Sequence, residues 1–130
     1  KVVFYDQVVE VLESLVSRAM LGVLTNGNAN VNKLGIGHLF EFSISSVDVK
    51  SNKPDSAHFI KAKEISGIEF INTLHIGDHP INDVKGARDL GISTMWFNSQ
   101  NLTWDVDDNP PLMFNHWSQF MNLLSLHHEQ

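Results

Sequence analysis

Stretches in which apolar residues have the spacing of an amphipathic helix alternate along the chain with short apolar runs typical of strands. Apolar side chains between residues 8 and 19 recur with helical spacing, and Asp6 is a suitable N-cap for that helix. Short apolar runs that end in turn residues predict strands, and further helical stretches follow them. We therefore predict strands at 20–24, 42–47, 73–77, 92–97 and 111–115, and helices at 8–19, 29–34, 56–66, 81–90 and 116–126.

This regular alternation of strands and helices predicts the fold class. Short connections between a strand, a helix and the next strand favour a mainly parallel sheet with helices on both faces. A chain of 130 residues has room for one core of this kind. We therefore expect residues 1–130 to form a single α/β domain with three layers around a doubly wound, Rossmann-like sheet.

Three groups of polar residues lie next to the predicted elements. Thr25 to Gly27 follow the strand at 20–24, Lys53 precedes the helix at 56–66, and Asp78 and Asp83 follow the strand at 73–77. Taken singly, the three groups are typical of a turn, a solvated lysine and a helix N-cap. Because the carboxyl ends of parallel strands meet at one rim of the sheet, we expect the three groups to share one site.

The residue types in these groups indicate which ligands the site binds. Asp78 and Asp83 place two carboxylates on one loop, and Mg²⁺ usually takes one or two carboxylates from a protein while keeping several waters. A phosphate normally completes such a site. The turn at Asn26 and Gly27 leaves backbone N–H groups to hold an anion. The sequence therefore predicts Mg²⁺ and a phosphate at the same rim.

Composition narrows the classes of partner. The formal net charge is -6, and no cluster of lysine and arginine is present, which argues against a nucleic-acid partner. Cysteine is absent, so the sequence predicts neither a disulfide framework nor a thiolate metal site. No apolar run approaches the ~18 residues of a membrane span. We expect a cytoplasmic protein that acts on a small molecule.

In their order along the chain, the three polar groups resemble motifs II, III and IV of the haloacid dehalogenase superfamily. Residues 23–28 are similar to motif II, residues 51–55 to motif III and residues 76–87 to motif IV. The resemblance extends over about Phe4 to Phe97. It implies the core of a Mg²⁺-dependent hydrolase of the phosphatase branch.

The resemblance also implies a role for each residue of the three groups. Thr25 would donate its hydroxyl to the transferring phosphoryl group, helped by the backbone N–H of Asn26, and Lys53 would hold the phosphate and the charge of the nucleophile. Asp78 would ligate Mg²⁺, and Asp83 would support the metal and orient Lys53. Phosphoryl transfer depends mainly on such positioning and electrostatic stabilisation. The catalytic candidates are Lys53, Thr25 and Asn26, the phosphate-binding candidates add Gly27, and the metal candidates are Asp78 and Asp83.

One motif of the family has no counterpart in this sequence. The family's nucleophile is the first aspartate of an Asp-x-Asp-x-Thr pattern after the central strand, and a helical cap domain usually follows. Asp6 also ends an apolar run, but Val8 stands where the second aspartate belongs, and we interpret Asp6 as a helix cap. By resemblance, the missing strand lies between the strands that carry Thr25 and Asp78, which leaves two unpaired edges. We expect a missing N-terminal segment or another copy of the chain to complete the sheet.

Three functions remain open at this point. The leading one is a Mg²⁺-dependent phosphatase core for a small phosphorylated metabolite, such as a nucleotide or flavin-pathway monophosphate. Its aspartyl-phosphate would form on an aspartate outside this chain, so we expect the chain alone to be inactive. The second is a 2-haloacid dehalogenase, which needs no metal and has no use for two converging carboxylates. The third is a non-catalytic domain that binds a phosphorylated ligand or a partner protein.

Overall fold

A computed structural model of the chain describes residues 5, 7–27 and 35–128. The strands are β1 (Gly22–Thr25), β2 (Phe42–Ser45), β3 (Leu74–Gly77), β4 (Ser93–Phe97) and β5 (Leu112–Phe114). The α-helices are α1 (Val8–Leu15), α2 (Ser46–Val49), α3 (Ala57–Ser66), α4 (Gly86–Arg88) and α5 (Phe120–His128). Short 3₁₀ turns cover Gly37–Leu39, Phe70–Asn72 and Trp117–Gln119, and a π-helical turn covers Pro80–Lys85.

The strands form two sheets in which every pairing is parallel. One sheet has the order β1-β2 and the other β3-β4-β5. Helices α1 and α5 pack with β4 and β5 in one cluster of buried side chains, and α3 and α4 contribute to a second, separate cluster. The predicted α/β class with a parallel, Rossmann-like arrangement is confirmed. The first cluster contains Val11, Leu15, Met95, Phe97, Phe114, Phe120 and Leu124, and the second contains Phe59, Ala87 and Ile92.

A cavity, which we call the central slot, separates the two sheets. Among the described residues, β1 pairs only with β2, and β3 pairs only with β4, so each keeps one unpaired edge. The cavity has a volume of about 910 Å³, and both β1 and β3 contribute to its wall. That a strand is missing between β1 and β3 stays a prediction. The apolar lining includes Leu21, Leu24, Phe59, Leu74, Ile76 and Phe120.

The strand predicted at 42–47 is wrong at its end, because a helix cap interrupts it. Ser45 Oγ accepts a hydrogen bond from the N–H of Asp48 (3.2 Å), and the N–H of Ser45 donates to Asp48 Oδ2 (2.9 Å). This reciprocal pair is a capping box, which starts α2 directly after β2. The alternation of apolar and polar residues continues beyond Ser45, but the cap decides the backbone conformation there.

The helix predicted at 81–90 is α-helical only in its second part. Its first part is the π-helical turn Pro80–Lys85, where the N–H groups of Asp83 and Val84 both donate to the carbonyl of His79, at 3.0 and 3.3 Å. Helix α4 follows it at once. Such wide turns are often found at functional sites. The side chain of Asp83 lies in this turn.

The remaining differences concern the ends of elements and residues outside the described part. The first helix ends at Leu15 rather than at residue 19. The helix predicted at 29–34 and the proposed N-cap Asp6 lie outside the described residues. Across residues 7–27 and 35–128, every helix is too short or too polar to cross a membrane.

Candidate active site

A buried ion pair lies at the rim of the sheet. Lys53 Nζ is 2.5 Å from Asp83 Oδ1, and the two side chains are only 8% and 7% exposed. Lys53 Nζ also donates a longer hydrogen bond, 3.4 Å, to the carbonyl of Leu24 in β1. Lys53 precedes α3 and Asp83 follows β3, so this contact joins two of the three groups that the sequence placed at one site.

Asp83 accepts hydrogen bonds at both of its carboxylate oxygens. His75 Nε2 lies 3.0 Å from Oδ1, and the N–H of His79 donates to Oδ2 at 3.1 Å. Burial raises the pKa of Asp83, but the hydrogen bonds and charges of His75 and Lys53 outweigh burial and hold it well below its ordinary value of 3.8. Asp83 is therefore a carboxylate at every physiological pH.

Gly77, the last residue of β3, makes room for this carboxylate. A Cβ atom at position 77 would lie 2.2 Å from Asp83 Cγ and 2.4 Å from Asp83 Cβ. No side chain can occupy that space unless the turn that carries Asp83 moves. The close approach explains why a glycine stands between an apolar strand and the acidic loop.

The side chain of Asn26 ties the loop after β1 to the turn that contains Lys53. Its Nδ2 donates to the carbonyl of Lys53 (3.1 Å), and its Oδ1 accepts from the N–H of Lys53 (2.6 Å). The sequence assigned only the backbone N–H of Asn26 to the site and missed this role of the side chain. An Asn-Gly pair is so typical of turns that local sequence gives no sign of such a distant partner.

Thr25 is held at its side chain and at its carbonyl. Its Oγ1 accepts the N–H of Gly27 (2.9 Å), which leaves the hydroxyl proton free to be donated to a ligand. Its carbonyl accepts a hydrogen bond from Nε2 of the fully buried His58 (2.8 Å). We expected this turn to leave its backbone donors free. That expectation is wrong for the N–H of Gly27, which already donates to Thr25 Oγ1.

Asp78 is exposed on the loop between β3 and the π-helical turn. Its carbonyl accepts a hydrogen bond from Nε1 of the buried Trp96 (2.8 Å), which fixes the backbone of the loop. His79, the next residue, accepts the N–H groups of Ile81 and Asn82 at its Nδ1, at 3.2 and 3.0 Å. His79 thus caps the π-helical turn.

The donors on this loop match a hard cation in chemical type. Asp78 and Asp83 offer carboxylate oxygens, which Mg²⁺ prefers, and Mg²⁺ takes its other ligands largely from water and phosphate. Within residues 7–27 and 35–128, no group of three or more His, Asp or Glu side chains is placed to hold a metal ion. Because Asp83 already accepts hydrogen bonds at both oxygens, Asp78 is the better candidate for a direct ligand. The metal roles of both residues stay predictions.

Comparison with known proteins decides the family. The sequence model of the haloacid dehalogenase-like hydrolases matches residues 1–97, which is most of the chain. The chain belongs to the haloacid dehalogenase-like hydrolase family. The expected membership of the haloacid dehalogenase superfamily is thereby confirmed.

This haloacid dehalogenase-like chain is similar to several named phosphatases. It is 30% identical over 123 residues to the 5-amino-6-(5-phospho-D-ribitylamino)uracil phosphatase YigB of Escherichia coli, covering 92% of this chain and 52% of YigB. It is 30% identical over 100 residues to the pyrimidine 5′-nucleotidase PynA of Streptococcus pneumoniae, covering 72% of this chain and 42% of PynA. The chain thus spans about half the length, or less, of these curated relatives.

Solved structures of haloacid dehalogenase-like proteins share its fold. A 2-haloacid dehalogenase from Pseudomonas syringae has a TM-score of 0.92 and 35% identity, with 98% of this chain and 55% of that one covered. The putative hydrolase YfnB from Bacillus subtilis, whose structure was solved with magnesium bound, has a TM-score of 0.83 at 22% identity and covers 92% of this chain and 55% of YfnB. At that identity, the YfnB likeness shows the fold alone.

The structure of this haloacid dehalogenase-like chain brings most of the sequence-predicted site together. Hydrogen bonds connect Asn26, Lys53 and Asp83, while Thr25 precedes Asn26 and Asp78 lies on the loop of Asp83. The sequence analysis missed His58 as a partner of Thr25 and His75 as a partner of Asp83. Both lie within regular elements, where an isolated histidine carries no local signal of its partner.

Substitution of Gly77 by alanine should displace the side chain of Asp83 and destabilise the fold. The added methyl group collides with Asp83, so we expect the Gly77→Ala variant to lose on the order of 1–3 kcal/mol of unfolding free energy, measured by urea denaturation. Gly27→Ala is the matched control, because a Cβ there would meet only Thr25 Oγ1 at an ordinary 3.4 Å. Equal stability of the two variants would contradict the close packing of Asp83 on Gly77.

The lowered pKa of Asp83 predicts a specific loss of stability in acid. A carboxyl group whose pKa is lower in the folded state stabilises the fold above its unfolded pKa, near 3.8, and this contribution disappears as the pH falls below that value. The unfolding free energy should therefore fall more steeply below pH 4 in the unsubstituted chain than in the Asp83→Asn variant. The exposed Asp89→Asn serves as control and should keep the steep slope. Parallel slopes for all three proteins would contradict the prediction.

Proposed function

We propose that the chain is part of the core of a Mg²⁺-dependent phosphatase and binds the phosphoryl group of a small phosphorylated metabolite. The observation that carries the proposal is the buried Lys53–Asp83 pair at the rim, next to the loop of Thr25 and the exposed Asp78. Lysine and aspartate are costly to bury, and a lysine placed beside hydroxyl and backbone donors is suited to bind an anion.

Lys53 keeps donor capacity for a ligand. A lysine ammonium has three N–H donors, and the contacts of Lys53 Nζ in the described part of the chain are with Asp83 Oδ1 and the carbonyl of Leu24. The third donor and the hydroxyl proton of Thr25 are then available to phosphoryl oxygens. These groups would bind and orient the phosphate.

Mg²⁺ fits this proposal through Asp78. The exposed carboxylate of Asp78 would hold the ion, and Asp83 would keep Lys53 in place rather than contribute most of the coordination. When bound, the ion would offset the negative charge that accumulates on a phosphoryl group. Trp96 keeps the loop of Asp78 in position through its hydrogen bond to the carbonyl of that residue.

The named relatives support a phosphate monoester as the substrate class. YigB, PynA and a phosphoserine phosphatase from Thermus thermophilus, which is 30% identical over 97 residues, act on different molecules that all carry a phosphate ester. The substrates in their names have a phosphate in common but differ in the organic group that carries it. We propose a nucleotide or flavin-pathway monophosphate, since the match to YigB covers 92% of this chain and PynA is named a nucleotidase.

A 2-haloacid dehalogenase is the second candidate. The structure from Pseudomonas syringae, with 35% identity and a TM-score of 0.92, favours it. The buried Asp83 and the exposed Asp78 on one loop favour the phosphatase, because a metal-free reaction has no need for paired carboxylates. Halide release from a 2-haloacid without Mg²⁺ would support the dehalogenase.

Removal of the Lys53 charge should weaken phosphate binding. We expect the Lys53→Met variant to bind inorganic phosphate at least about tenfold more weakly than the unsubstituted chain, because a hydrogen bond to a charged group contributes roughly 1.5–3 kcal/mol. Isothermal titration with and without Mg²⁺ measures the affinity, and Asp78→Asn should remove the effect of Mg²⁺. Lys85→Met, which changes a half-exposed lysine at the end of the π-helical turn, is the matched control. Equal affinities for Lys53→Met and Lys85→Met would overturn the proposed site.

We also propose that a strand from an N-terminal segment of a longer polypeptide fills the central slot and carries the nucleophilic aspartate. Lys53 donates both to the carbonyl of Leu24 in β1 and to the carboxylate of Asp83, which follows β3, so the two strands end at the same rim. A parallel strand between them would pair with both free edges and would also end beside Lys53. The apolar lining of the slot suits a strand with apolar side chains on both faces.

A synthetic peptide can test the strand proposal. A peptide of alternating valine and isoleucine that ends in aspartate should slow amide hydrogen exchange in β1 and β3, because it would pair with their free edges. A peptide with a central proline is the control, since proline removes a ladder hydrogen bond. Slow exchange of these amides in a monomer without peptide would contradict the proposal. Slow exchange that accompanies dimer formation in sedimentation would assign the slot to a second copy instead.

A further inference from the structure

The imidazole of His75 reaches the same carboxylate oxygen that holds Lys53. His75 lies in β3, its side chain is 14% exposed, and its Nε2 is 3.0 Å from Asp83 Oδ1. Lys53 Nζ approaches that oxygen from the turn before α3. One oxygen atom of Asp83 therefore has two hydrogen-bond donors from two different elements.

Both carboxylate oxygens of Asp83 are then fixed. The oxygen Oδ1 can only accept, so His75 Nε2 donates to it, and the N–H of His79 donates to Oδ2 at 3.1 Å. Rotation of the carboxylate about its bond to Cβ would break at least one of these contacts. The direction in which Asp83 presents Oδ1 to Lys53 is therefore set by His75 and by the backbone of the π-helical turn.

Packing alone does not account for a histidine at this place. The imidazole lies edge-on to the ring of Phe59 in α3, with ring centroids 5.0 Å apart and an interplanar angle of 88°. An apolar side chain such as leucine would fill the same space against Phe59. It would remove one of the two hydrogen bonds to the buried Asp83 Oδ1 and leave the bond from Lys53.

From this geometry we infer that His75 is a positioning residue of the anion site, which holds the Asp83 carboxylate so that Lys53 presents its ammonium to the ligand. The inference rests on the proposed function only in taking the ligand to be a phosphate. The position of the Lys53 ammonium can be measured without any ligand.

The test compares His75→Gln, which keeps a side-chain N–H donor, with His75→Leu, which removes it. We expect His75→Leu to bind inorganic phosphate about tenfold more weakly in isothermal titration, and His75→Gln to stay within about threefold of the unsubstituted chain. Without the His75 donor the Asp83 carboxylate is free to turn away from Lys53, so we expect reductive methylation, quantified by mass spectrometry, to modify Lys53 several times faster in His75→Leu than in His75→Gln. Lys63, which pairs with Glu69 at the surface, is the internal reference and should react equally in every variant.

Each outcome decides between the inference and the proposed function. Equal Lys53 reactivity in the two variants would overturn the inference, whatever the affinity for phosphate. A difference in reactivity without phosphate binding by the unsubstituted chain would keep the positioning role and overturn the phosphate site. If His75→Leu does not fold, as judged by circular dichroism, His75→Asn replaces it. Its shorter side chain should place the amide out of reach of Asp83, so its Lys53 should react as fast as predicted for His75→Leu.

Discussion

The arrangement of the rim depends on the contact between the Lys53 ammonium and the Asp83 carboxylate. Each charge is almost completely removed from water, and neither is tolerable there without the other, since removal of one partner of a buried pair costs about 3–5 kcal/mol. The surroundings follow from this requirement. Gly77 leaves space for the carboxylate, the N–H of His79 satisfies its second oxygen, and Asn26 holds the backbone of Lys53.

Much of the fold could be predicted from the sequence, because the period of apolar residues differs between a helix and a buried strand. The failures have local physical causes. Beyond Ser45 the apolar alternation persists, but a reciprocal hydrogen-bond pair with Asp48 stabilises a helix start. Between Pro80 and Lys85 the spacing of apolar residues does not distinguish a π-helical turn from an α-helix, since the two differ by one residue per hydrogen-bonded ring.

The candidate site was predictable to the extent that its residues sit at the ends of elements, where parallel strands bring them together. Thr25, Lys53 and Asp83 were predicted on that ground. His58 and His75 were not, because they act through partners far away in sequence, Thr25 and Asp83, and their own neighbours in sequence are ordinary helix and strand residues. Long-range hydrogen bonds of this kind become visible only in three dimensions.

The contacts of Lys53 link the two sides of the central slot. Its backbone is hydrogen-bonded to Asn26, which follows β1, and its ammonium is hydrogen-bonded to Asp83, which follows β3, so Lys53 connects the ends of the two strands that line the slot. An anion that binds Lys53 and a strand that enters the slot would then both contact this residue. Because such coupling is reciprocal, each would change the binding of the other by the same factor.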